Sequence, residues 1–216
     1  MHPFFIHVIF NHSILIAAVI GMFRFKYIIS DFYPFLIFIW LGLFNDSLSL
    51  ALILMHRSNT ANSNISVFLE LAVVLWMFFT WNKEKLKVYI CLAITAVVVW
   101  LADNFFINSI SENNSLFRVF YSFLILFLSI DNLNKLLFFE NGRLLTNAKF
   151  IICLTFLFYY GFNAFIESFN IFHLGLSSNV LNMLWWMLSF VNLIANLLYA
   201  LAVLWVPTKV KFILRY

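Results

Sequence analysis

Residues 33–81 read YPFLIFIWLGLFNDSLSLALILMHRSNTANSNISVFLELAVVLWMFFTW. Two apolar runs, 35–55 and 65–81, flank a turn rich in Ser, Asn and Thr. At a rise of about 1.5 Å per residue, each suits a helix crossing a hydrocarbon core about 30 Å thick. The first run carries Asn45, Asp46, Ser47 and Ser49 near its middle, and the second carries Glu70. A carboxylate inside such a run is costly in lipid, so it is read as functional until shown otherwise.

Working outward, the same pattern recurs along the chain. Apolar runs at 3–23, 88–107, 116–139, 148–172 and 179–206 bring the number of spans to seven. The expected fold is an all-α, polytopic bundle of seven transmembrane helices forming one domain, 1–216. Composition agrees: 64% of residues are hydrophobic and 10% charged, where a soluble domain carries about 25% charged. Pro3 and Pro34 stand at helix starts, where the missing N–H costs nothing, and Pro207 closes the last run. The first run has no basic region before it and no A-x-A-like site after it, so it reads as a helix and not as a signal peptide. Cys91 and Cys153 lie in separate apolar runs and read as small buried hydrophobes, not as a disulfide framework.

Orientation follows from the basic residues. The loops after the first, third and fifth spans, with the tail, hold Arg24, Lys26, Lys83, Lys85, Lys87, Lys135, Arg143, Lys149, Lys209, Lys211 and Arg215. Those are 11 of the 13 basic residues; only Arg57 and Arg118 fall on the other side. This predicts an N-out, C-in topology for a multi-pass membrane protein. The net charge of +4 is thus an orientation signal, and no nucleic-acid partner is expected. All prolines stand at helix ends and the chain has five glycines, so the helices read as unbroken, unlike the discontinuous helices of many secondary transporters. Residues 69–76 (LELAVVLW) echo residues 198–205 (LYALAVLW) at four of eight positions, the basis of a 3+1+3 repeat.

The chemistry rests on acids and amides. Asp46, Glu70, Asp103, Asp131 and Glu167 lie within apolar runs, and no Lys or Arg is placed mid-membrane to pair with them. Asn163 and Glu167 are four residues apart and share a helix face, as do His7 and Asn11. Ser189, Asn192, Asn196 and Tyr199 form a stripe at spacings of three and four. Such stripes face the bundle interior, because lipid leaves polar groups unsatisfied. One reading is a set of interhelical hydrogen bonds worth roughly 0.6–2 kcal/mol each. The other is a cavity in the outer half binding a small polar or cationic ligand, with Asp46, Glu70, Asn163, Glu167, Asn192, Asn196 and Tyr199 as its lining. A third is proton or ion movement. His12 with Asp46 or Glu70 is a weak metal candidate, lacking the paired-His spacing of helical zinc sites.

No Gly-rich phosphate loop, nucleophile elbow or cysteine metal cluster occurs. A retinal-binding Lys is missing from the seventh span, and that span offers Asn192 and Asn196 where alkaline ceramidases carry paired His. No cofactor and no catalytic residue is expected.

Residues 43–49 (LFNDSLS), 62–76 (NSNISVFLELAVVLW) and 196–205 (NLLYALAVLW) follow one another in an order that resembles a family of small seven-helix membrane proteins, common in Bacteroidetes and of unassigned function. The resemblance implies the same bundle in a bacterial inner membrane and highlights Asp46, Glu70, Asn196 and Tyr199. The functional expectation is a receptor-like or sensory module, with the lipid bilayer and a cytoplasmic protein as partners. A small-molecule or ion transporter is the alternative, and an intramembrane metal-dependent hydrolase the third.

Overall fold

A computed structural model describes residues 3–139, 144–172 and 177–209. Its α-helices are α1 (Pro3–Asn11), α2 (Ile14–Arg24), α3 (Tyr33–Leu54), α4 (Thr60–Trp81), α5 (Leu86–Ala102), α6 (Ser115–Phe139), α7 (Ala148–Phe172) and α8 (Ser178–Trp205). Among the described residues there is no strand, only an isolated bridge between Ile28 and Thr208. Among the described residues, seven helical spans are long and apolar enough to cross a membrane. Helix is the economical answer for such segments, since it satisfies every interior backbone group within the segment itself.

Helix ends are made locally. At the end of α3, the Arg57 N–H reaches the Leu52 carbonyl at 2.9 Å. His56 stands between them with φ 54°, which is the left-handed residue of a Schellman stop. The fourth span finishes in a wider π-helical turn, Asp103–Ile107.

The first span, Ile6–Arg24, is interrupted only by a two-residue turn at His12–Ser13, between α1 and α2, where Ser13 keeps helical dihedrals (φ −58°, ψ −22°). Neither Gly nor Pro causes the break. His12 Nδ1 lies 2.9 Å from the Val8 carbonyl, and Ser13 Oγ donates to the Phe10 carbonyl at 2.6 Å. Both side chains compete for carbonyls of the preceding turn. The backbone answers with short-range bonds, Ser13 N–H to Phe10 O and Leu15 N–H to His12 O. A break of this kind at membrane depth needs outside partners for the freed groups, and α8 supplies them, as described below.

Helix contacts run from α2 to α3, α4, α6, α7, α8 and back to α2. Helix α1 packs on α8, and α5 packs on α4 and α6. Gly21 allows the α2–α3 approach: a Cβ there would stand 3.0 Å from Leu36 Cδ2. Cys153 is buried, but Cys91 on α5 is exposed, against the expectation from the sequence.

One end of the bundle gathers basic side chains and is called here the basic face. Arg24 reaches the last carbonyls of α8, at 3.0 Å to Val203 and 3.1 Å to Val206. Lys209 N–H donates to Tyr27 O at 2.7 Å. Lys83 lies 3.8 Å from Asp31, and Lys149 sits over the Trp81 ring. Lys85 and Lys135 both hold Asp131, at 3.1 and 3.2 Å. First, third and fifth connections therefore meet at one end. Arg143, Lys211 and Arg215 lie outside the described residues.

Candidate functional site

A cavity of about 100 Å³ opens between α2, α3, α4, α7 and α8. Its polar wall is built from Asn45 and Asp46 on α3, Ser66 and Glu70 on α4, and Asn192 and Asn196 on α8. Tyr159 and Tyr199 contribute hydroxyls, while Ile14, Phe38 and Leu41 make the apolar side. Gly42 completes the lining: a Cβ there would fall 2.8 Å from Ile14 Cδ1. Five of the seven residues expected from the sequence are thus brought together: Asp46, Glu70, Asn192, Asn196 and Tyr199.

The α8 stripe is held in place by the broken first span. His7 Nδ1 lies 2.7 Å from Ser189 Oγ, and its ring lies against Trp186, tilted by 35° with the centroids 3.8 Å apart. Asn192 Nδ2 donates to Asn11 Oδ1 at 3.1 Å. Asn196 Nδ2 donates to the Asn11 carbonyl at 3.3 Å and to Ser13 Oγ at 3.0 Å. The break thus receives a donor for a carbonyl left without its helical partner, and the two asparagines are fixed with their amide oxygens uncommitted among the described residues.

The carboxylates differ in their partners. Glu70 Oε1 accepts from the buried Tyr160 hydroxyl. Asp46 has no hydrogen bond or ion pair among the described residues. Tyr199 is 3% exposed, and its hydroxyl has no hydrogen-bond partner among the described residues. A buried hydroxyl without a partner costs about 1–3 kcal/mol, so a group occupying the cavity would gain by reaching it.

Toward the basic face the cavity is floored by aromatic rings. Phe35, Phe38, Phe78, Phe156, Tyr160 and Tyr199 are all buried. Phe38 meets Phe156 and Tyr199 edge-on at 5.4 Å each, and Phe156 meets Tyr160 at 5.4 Å. Edge-to-face pairs of this kind pack densely and favour a fixed arrangement. Asp131 lies beyond them in its own cluster with Lys85 and Lys135.

Asn163 and Glu167, expected at the ligand site, do not line the cavity. Asn163 donates to Ser122 Oγ at 3.0 Å and to Tyr121 Oη at 3.3 Å. Glu167 lies 3.8 Å from Arg118 and accepts from Ser115 at 2.9 Å, Asn170 at 2.9 Å and Asn113 at 3.3 Å. The two share a helix face as expected, but that face meets α6. Asp103 is likewise structural: it accepts from Phe117 N–H and Asn108 Nδ2, both at 2.7 Å, and so caps the first turn of α6.

The weak metal candidate His12 does not join Asp46 and Glu70. Its Nδ1 is engaged with the Val8 carbonyl, and it is not part of the lining. Among the described residues, no three His, Cys, Asp or Glu side chains are grouped to hold a metal ion.

Sequence reasoning did not single out Tyr159, Tyr160 or Ser66 for this site. Ser66 lies four residues before Glu70, one helical turn on the same face, and that spacing could have found it. The tyrosines are adjacent in a run of aromatics and carry no such signal. No protein-family model, curated protein or solved structure matches the chain.

Proposed function

We propose that this chain is a receptor-like membrane protein that binds a small polar or cationic molecule in the cavity beside Asp46 and Glu70. One observation carries the reading. Two acids, one of them without a hydrogen-bond partner among the described residues, and a buried tyrosine hydroxyl likewise unpartnered there meet at an open volume floored by packed rings. The ring layer separates the cavity from the basic face, which favours entry from the opposite side. In this reading the topology is N-out and C-in, the membrane is a bacterial inner membrane, and the basic loops meet a cytoplasmic protein. The 3+1+3 repeat belongs to the same proposal, supported by the peripheral place of α5, its linking helix.

Transport is the second reading, and the α1–α2 break favours it. Broken helices beside a polar site are a recurrent feature of secondary transporters.

Both are tested with Ser66→Cys in a chain lacking Cys91 and Cys153. A membrane-impermeant, positively charged methanethiosulfonate reagent is applied to sealed vesicles from one face at a time. Binding without transport predicts modification only from the face opposite the basic one. Modification from both faces favours transport. Modification from neither face, or only from the basic face, overturns the proposed cavity entrance.

A further inference from the structure

We infer that the ligand of this cavity is a small primary alkylammonium ion, a statement that rests on the binding reading above and narrows it. The hydrogen-bonding polarity of the lining selects it. Asn196 commits its amide nitrogen to Asn11 O and Ser13 Oγ, and its Oδ1 is left over. Asn192 Nδ2 is held by Asn11 Oδ1 in the same way. Glu70 Oε1 takes the Tyr160 hydroxyl, leaving Oε2. Both oxygens of Asp46 are uncommitted among the described residues. Among the described residues no Lys, Arg or His lines the cavity. A ligand entering it therefore meets two acids and two spare amide oxygens, beside the hydroxyls of Ser66, Tyr159 and Tyr199 and the amide nitrogen of Asn45; the acids and the acceptors on Asn192 and Asn196 suit a cation rich in N–H donors.

The rest of the wall separates an alkylammonium from a metal ion. A hard cation seeks a shell of oxygens on all sides. Here Ile14, Phe38 and Leu41 close one side with carbon. A primary ammonium needs only three acceptors, and its alkyl tail gains from apolar contact. Phe38 and the Tyr199 ring add aromatic surface of the kind that attracts ammonium groups. Size sets the tail. A dry cavity of roughly 150 Å³ takes benzene, so one about two-thirds as large holds about four non-hydrogen atoms. Tyr199, 3% exposed with its hydroxyl unpaired, is the buried group that such a ligand would satisfy.

The test uses the full chain in lipid nanodiscs, with thermal unfolding followed during titration with propylammonium chloride. Potassium chloride and tetramethylammonium chloride at equal ionic strength are the controls; the latter has charge and carbon but no N–H. The expected result is a saturable rise in Tm with propylammonium alone. Asp46→Asn should weaken the apparent affinity about tenfold to a hundredfold, the range for losing a charged hydrogen-bond partner. Tyr199→Phe, which keeps the ring and its packing, should weaken it by a smaller factor. An equal response to tetramethylammonium or potassium overturns the inference, as does wild-type affinity in both variants. If Ser66→Cys is modified through the cavity entrance but propylammonium has no effect, the ligand class is wrong and the cavity reading survives. If Ser66→Cys is modified from neither face, both fall.

Discussion

Arg118 and Glu167 join α6 to α7 near the ends of these helices that face away from the basic face. The side chains are 13% and 2% exposed, and the closest charged atoms are 3.8 Å apart. At an effective dielectric constant of about 20, that separation corresponds to about 4 kcal/mol of attraction. Burial of the two charges opposes it, and the neutral donors Ser115, Asn113 and Asn170 already stabilise one carboxylate oxygen. Arg118 has further bonds of its own, to Ser63 Oγ at 2.7 Å and Asn114 Oδ1 at 2.9 Å. A single replacement therefore mixes several losses, and a double-mutant cycle is needed to isolate the pair. Arg118→Met and Glu167→Gln should each lower stability by about 2–4 kcal/mol, because each leaves a buried charge without its counter-charge. The double variant should fall short of their sum by about 2–3 kcal/mol. The assay is reversible unfolding by steric trapping in bicelles, with tags outside the spans. Additivity to within about 0.5 kcal/mol would refute the claim that this pair is a coupled element of the fold.

Other replacements probe the remaining polar contacts. Asn196→Leu removes the donor that serves the Asn11 carbonyl and Ser13; it should cost about 1–2 kcal/mol, read in the same unfolding assay, and raise amide exchange at residues 11–15. Asp103→Ala removes the acceptor for Phe117 N–H and should cost about 1–2 kcal/mol, with exchange increasing in the first turn of α6 and not in its last. Gly42→Ala would place a Cβ 2.8 Å from Ile14 Cδ1, so the isoleucine tip must turn aside into the cavity. The cost in stability should be about 1 kcal/mol, while modification of Ser66→Cys slows at least tenfold.

How far the sequence announces this molecule depends on the range of the forces involved. The spans are legible because their length is set by the bilayer and their backbone bonds are local. Runs 116–139 and 148–172 coincide with α6 and α7, whereas α4 begins at Thr60 and not at residue 65. Its extra turn is polar, and its Asn62 and Asn64 amides are satisfied by distant groups, Asn45 and the carbonyls of Ile110 and Glu112. Hydropathy cannot register bonds of that kind. The break at residues 12–13 was hidden for a related reason. Gly and Pro are the usual marks of a broken helix, and here two side chains turned back on the preceding turn do the same.

The candidate site divides along the same line. Periodicity placed Ser189, Asn192, Asn196 and Tyr199 on one face, and it placed Asn163 and Glu167 on another. It could not say that the first stripe splits between a zipper to α1–α2 and a cavity, or that the second meets α6. Those outcomes depend on which acids find donors. Glu167 has Arg118, Asp131 has two lysines, and Asp103 has the start of α6. Asp46 has no such partner among the described residues and Glu70 has one tyrosine hydroxyl. In a medium that penalises an unpaired acid, this unequal satisfaction separates the groups that hold the bundle together from the groups left to meet a ligand.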